Sequence, residues 1–172
     1  MRRLYWPCWA AAVAATGIVA GFMLGHALLL GPYVDWLLIA GRARVLADTY
    51  PVFARSAGRG WLAAYYAVAG LQVLAGVAFA VVSVSSRQRA GTGALIGVGA
   101  VLWPVVHYAS GFGALEAQVL RSTVEAPRAV AETFVRWNGA VHGFHAATLG
   151  TVLALLLSVP LSARDKPVHS DG

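Results

Sequence analysis

The fold class the sequence predicts is all-α: an integral membrane, antiparallel four-helix bundle. Three observations predict it. Charged residues make up 12% of the 172-residue chain and apolar residues 59%, against about a quarter charged in soluble domains. The charges are also segregated. No Asp, Glu, Lys or Arg occurs from Leu4 to Val34, Gly60 to Ser86, Ala90 to Leu115 or Trp137 to Ala163, and each gap exceeds the ~20 residues that cross the hydrocarbon core as a helix. Thirdly, runs such as Ala10–Ala15 and Ala75–Val84 lack the period-2 alternation of a membrane β-barrel. The same composition excludes a disordered chain, and the single cysteine, Cys8, excludes a disulfide scaffold.

The spans are expected near 8–31, 61–84, 93–114 and 137–161, as one domain over 1–161 followed by a polar cytoplasmic tail at 162–172. The first follows Arg2 and Arg3, but its apolar run is much longer than the ~7–15 residues of a signal h-region, so a retained anchor is expected. Lipid offers no hydrophobic drive for helix association, and small residues must permit close approach. Gly17, Gly21 and Gly25 therefore predict a contact face, as do Gly93 with Gly97, and Gly139 and Gly143 with Ala147. Pro104 predicts a kink in the third span. The connections Val34–Gly60 and Glu116–Arg136 mix arginines with apolar residues and read as short amphipathic helices. Pro127 is placed in the first turn of a helix running into the fourth span.

Orientation follows the Lys/Arg bias. Arg2, Arg3, Arg87, Arg89, Arg164 and Lys166 crowd short segments on one side, which predicts both termini in the cytoplasm. Trp6, Trp9, Trp36, Trp61 and Trp137 sit near span ends, as an aromatic belt requires. The expected partner is thus the bilayer, and the net charge of +6 gives no reason to invoke nucleic acid.

Four histidines interrupt the apolar spans: His26, His107, His142 and His145. Counting from the span ends at ~1.5 Å per residue puts all four roughly 8–12 Å from the same membrane face. Tyr65 and Tyr66 stand at that level on the second span, with Gln72 deeper. Asn138, His142 and His145 follow the i, i+4, i+7 pattern of one helix face. Polar groups inside a span face the bundle interior or a wet cavity. One extracytoplasmic-side pocket is therefore expected, lined by His26, Tyr65, Tyr66, His107, Asn138, His142 and His145. The bland reading is that these histidines tie neighbouring helices together.

Three chemistries suit such a pocket. His26, His107, His142 and His145 can ligate copper, zinc or iron, although Glu116 and Asp35 stand at the rim, with no carboxylate adjacent at histidine depth. Two facing histidines can hold haem b. Alternatively, a histidine can act as a metal-free base on an acidic carbon or phenol, with a hydrophobic, aromatic or quinone-like small molecule entering from lipid. No P-loop, GxSxG elbow, CxxC or dinucleotide fingerprint is present in the chain.

The stretch Phe134-Val135-Arg136-Trp137-Asn138, opening a small-residue last helix, resembles the anthrone-oxygenase-like family of small four-helix membrane proteins. Ala20-Gly21-Phe22 followed by Gly31-Pro32 is similar to the same family. The likeness covers most of the chain in helix layout and these patches in residues. It implies oxygenation of a polycyclic phenolic carbon acid without a bound cofactor. Members often carry an Arg three residues after the Asn; that position is Val141 here, with His142 next. The expectation is a membrane oxidoreductase in which His142 is the base, His107 and His145 assist, and Asn138 and Tyr66 polarise the substrate oxygen. The alternatives are a non-catalytic subunit of a homo-oligomer or larger membrane complex, and a metal- or haem-binding electron carrier.

Overall fold

The computed structural model describes residues 2–56 and 58–161; the expected tail at 162–172 lies outside the described residues. Among these the chain is helical, with no strand. Helix α1 (Arg2–Gly25) passes through a π-helical turn, His26–Leu30, into α2 (Gly31–Ile39). Then follow α3 (Ala43–Arg55), α4 (Gly58–Ser85), α5 (Ala90–Ala109), α6 (Phe112–Leu120) and α7 (Arg128–Leu161). Among the described residues, four stretches are long and apolar enough to cross a membrane: Arg3–Ile39, Arg59–Ser85, Ala90–Ala109 and Arg128–Pro160.

Each spanning helix packs on two neighbours. Helix α1 touches α4 and α7, and α5 touches the same two, which closes a four-cornered antiparallel bundle. The stretch Arg3–Ile39 has 37 residues and Arg128–Pro160 has 33. At ~1.5 Å per residue each exceeds the ~30 Å hydrocarbon core. Their surplus projects at the same end, where α2 packs on α7, α3 packs on α2, α4 and α6, and α6 packs on α5 and α7. Val34, Leu37, Leu46, Phe112, Val119 and Phe134 form the core of this cap.

The third spanning helix closes at Ala109, short of 114. Gly111 takes φ +78°, a left-handed conformation that glycine adopts without steric cost, and α6 starts immediately afterwards. Helix α7 starts at Arg128, and the Pro127 carbonyl accepts from Val130 N–H and Ala131 N–H. Pro127 therefore sits just before the first turn, where its missing N–H costs nothing.

The small-residue ridges divide into two kinds. A Cβ added at Gly97 would stand 2.7 Å from the Ala80 Cβ, so α4 and α5 approach closely there as expected. In contrast, a Cβ at Gly17, Gly21, Gly25, Gly139 or Gly143 would meet nothing within 4 Å. The contact face of α1 is instead Ala12, Ala15, Thr16, Val19 and Met23, all buried. That of α7 is Asn138, His142, His145, Leu149 and Val152. The glycine spacing was periodic in sequence, but the side chains that fill the interior lie about a quarter-turn or more away from it.

Candidate functional site

A cavity of about 340 Å³ opens beneath the cap, between α1, α4, α5 and α6. Its wall is apolar and aromatic, with Phe22, Met23, Leu62, Tyr65 and Trp103 among the lining residues. At one side His26, His107, His142 and Glu116 gather.

Local sequence explains each position. His26 opens the π turn, in which the Gly31 N–H donates back five residues to the His26 carbonyl. Such turns widen a helix and re-aim its side chains. Only glycine fits at its end, because a Cβ on Gly31 would lie 2.9 Å from the His26 carbonyl oxygen and 3.2 Å from Asn138 Nδ2. The Asn138 amide donates to Asp35 Oδ1 at 2.8 Å and to the Gly31 carbonyl at 3.3 Å. Those bonds tie α7 to α2 beside the cluster.

His142 Nδ1 lies 3.0 Å from the Asn138 carbonyl oxygen. A carbonyl can only accept, so Nδ1 carries the hydrogen, and Nε2 of the neutral ring keeps its lone pair. The His26 and His142 rings stack with centroids 3.8 Å apart and planes 18° apart. Glu116 reaches this group because α6 lies hard against α5: a Cβ on Gly113 would come 3.0 Å from His107 Nε2. One turn beyond Gly113, Glu116 sets Oε1 3.8 Å from His142 Nε2 and Oε2 3.7 Å from His107 Nε2. Burial raises the Glu116 carboxyl above its ordinary pKa, and Arg121 opposes that shift. Tyr50, also on the cavity wall, is pushed up by burial, then by Glu116 and Tyr66.

Of the residues expected in a pocket, His26, Tyr65, Tyr66, His107 and His142 line the cavity. Tyr66 stands at its outer part, where its hydroxyl accepts from Arg121 Nη2 at 3.1 Å. Asn138 and His145 are buried behind the wall. The His145 ring is 5.5 Å from His107 and 5.8 Å from His142 between centroids, and neither of its nitrogens has a hydrogen-bond partner among the described residues. Gln72 is buried deeper and accepts from Trp103 Nε1 at 2.9 Å.

Glu116 corrects the expectation that no carboxylate stands at histidine depth. Counting along straight spans put it at the rim, but the turn at Gly111 folds α6 back over the bundle end. The signal was present as Gly111-Phe112-Gly113, a break in the third span three to five residues before the acid. One ring nitrogen each from His26 and His142 and one Glu116 oxygen lie within 4.8 Å of one another, a spacing that can hold a metal ion. The cluster thus offers a free imidazole lone pair, a carboxylate and an apolar chamber beside them. No family model, curated protein or solved structure matches the chain.

Proposed function

We propose that the protein is a multi-pass membrane oxidoreductase that draws an apolar aromatic, quinone-like or phenolic substrate from the bilayer and oxidises it in the cavity under the cap. The observation that carries this reading is the pairing of an aromatic-walled chamber of about 340 Å³ with a His–Glu cluster at its side. Ligand chambers commonly combine apolar walls with a few convergent polar groups. In this reading His142 Nε2 takes the phenolic or carbon-acid proton, and Glu116 and His107 receive the charge that develops. Tyr66 contacts the substrate oxygen near the mouth. Asn138 and His145 act from behind the wall, Asn138 by fixing the His142 ring. The likeness to the anthrone-oxygenase-like family supports the reaction class, with dioxygen as electron acceptor. The short basic segments favour both termini in the cytoplasm, which turns the cavity toward the extracytoplasmic side.

Oxygen uptake by detergent-purified protein supplied with a polycyclic phenol tests this. Turnover is expected to fall ~10²–10⁴-fold in His142→Ala, the usual contribution of a general base. Wild-type protein that neither consumes oxygen nor binds any polycyclic phenol or quinol would sink the reading.

A second reading, a subunit of a homo-oligomer or larger complex, is favoured by the outward glycines. Gly17, Gly21 and Gly25 on α1, with Gly139 and Gly143 on α7, leave open space where a Cβ would stand, and such stripes admit a further helix. Crosslinking in membranes tests it: a linked species that Gly21→Leu abolishes supports the subunit role, and a monomer throughout removes it.

A further inference from the structure

We propose that His26, His142 and Glu116 form a binding site for one divalent first-row transition metal ion, open toward the cavity. The proposal concerns the resting protein and stands whether or not the substrate class above is right. It uses the same His142 Nε2 lone pair that the reading above gives to proton abstraction, so the metal-bound and metal-free forms are alternative states of one site.

Four observations carry it. The three donor atoms lie within 4.8 Å of one another, and ligands bound at ~2.0–2.2 Å stand ~3–4 Å apart around one ion. The Glu116 oxygens sit 3.8 Å from His142 Nε2 and 3.7 Å from His107 Nε2. Both separations are too long for hydrogen bonds, and the gap between Glu116 and His142 Nε2 suits an ion between them. The tautomer is also set: the Asn138 carbonyl takes the Nδ1 hydrogen of His142, leaving Nε2 for a metal. Metal-bound histidines usually donate their other ring N–H in this way. Lastly, the carboxylate meets imidazoles, while Arg121, just past the end of α6, donates to Tyr66, and a cation adds charge directly at the half-buried carboxylate.

The donor set selects the ion class. Two imidazoles and one carboxylate, with no thiolate, suit iron(II), zinc, copper(II) or cobalt(II) rather than calcium. Because all three residues face the cavity, coordination positions remain for water or substrate. His107, with Nε2 3.7 Å from the second Glu116 oxygen, borders the carboxylate without bonding it and limits where its side chain can lie. His145 lies outside the ligand set, as both the cavity wall and its buried ring place it behind the site.

The test uses full-length protein without a polyhistidine tag, in detergent, stripped with chelator and titrated with cobalt(II). One equivalent is expected to bind and to give visible d–d absorption, with zinc(II) displacing it. His26→Ala, His142→Ala and Glu116→Gln are each expected to weaken cobalt affinity at least tenfold, with helicity by circular dichroism unchanged. Glu116→Gln keeps the shape of the side chain, so it stays informative if an alanine variant unfolds. His107→Ala is expected to weaken affinity less than any ligand variant and to alter the d–d band. Cys8→Ser should bind as wild type. The proposal is overturned if folded wild-type protein takes up no cobalt, or if Glu116→Gln and His142→Ala bind it as tightly as wild type. Because the readout needs no substrate, failure here leaves the oxidoreductase reading standing, and failure of turnover leaves the metal site standing.

Discussion

The two ends of the bundle are built from the same four helices and differ in how they are filled. At the end away from the cap, Tyr5, Ala12, Phe79, Ile96 and Leu156 interlock in a buried cluster, and glycines on α5 meet side chains of α4. At the capped end the same helices diverge around a cavity, one of them takes a π turn, and imidazoles and a carboxylate stand where side chains would otherwise interdigitate. The difference shows a division of labour. Close packing at one end holds the helices at fixed positions, so that the other end can keep an open chamber and the polar atoms that face it without collapsing. Such atoms are costly inside a membrane protein and are retained where they face a cavity or carry a function.

Truncation should separate the ends most sharply. Phe79 is fully buried, and Phe79→Ala should destabilise the protein by about 3 kcal/mol. That is the low end of the range for buried Phe, because in a bilayer the loss is mainly of packing contacts. Leu62→Ala, on the cavity wall, enlarges an existing space and should cost under about 1 kcal/mol. Thermal unfolding in detergent measures both, and equal losses would remove the distinction between the ends.

Added methyl groups give a middle-sized effect with a different pattern. Gly97→Ala forces α4 and α5 apart, and overpacking of this kind costs ~1–3 kcal/mol. Gly31→Ala drives a Cβ against the His26 carbonyl. It should cost a similar amount while also displacing His26, so metal or substrate affinity falls with it. Gly17→Ala meets open space and should be neutral or slightly stabilising, since alanine is the better helix former. A Gly31→Ala protein with unchanged cobalt affinity would show that the π turn does not position the site.

How much of this was legible in the sequence follows from what each signal depends on. The four spans were readable because exclusion of charge from lipid acts residue by residue. The shared depth of His26, His107 and His142 was readable because antiparallel topology fixes depth once the spans are known. Which face of a helix turns inward was not readable from glycine spacing. The ridge of Gly17, Gly21 and Gly25 has helical period, but so does the row of Ala12, Thr16, Val19 and Met23 that fills the interior. Glu116 was misplaced for a third reason. Its position depends on a single left-handed residue, Gly111, and on contact between Gly113 and the His107 ring. No sum over a window of residues contains that information.

The smallest expected effect is a pH dependence confined to the capped end. In chelator-stripped protein, burial raises the Glu116 carboxyl above its ordinary value of 4.5. The folded state then holds this proton more tightly than the unfolded state, so the contribution to stability is fully present below that ordinary value. It is lost as pH rises through the raised one. The groups facing Glu116 are the His26, His107 and His142 rings, Arg121, Tyr50 and Tyr65. Comparison with Glu116→Gln isolates the carboxyl from them. Relative to that variant, wild-type Tm should decline by a few °C at most across this window. With cobalt(II) present the slope should reverse, because the metal binds the ionised carboxylate and neutral imidazoles. Phe79→Ala should lower Tm at every pH and leave both slopes unchanged. If stripped wild type and Glu116→Gln follow parallel curves instead, Glu116 is solvated at the cap, and the capped end is not electrostatically distinct from the packed one.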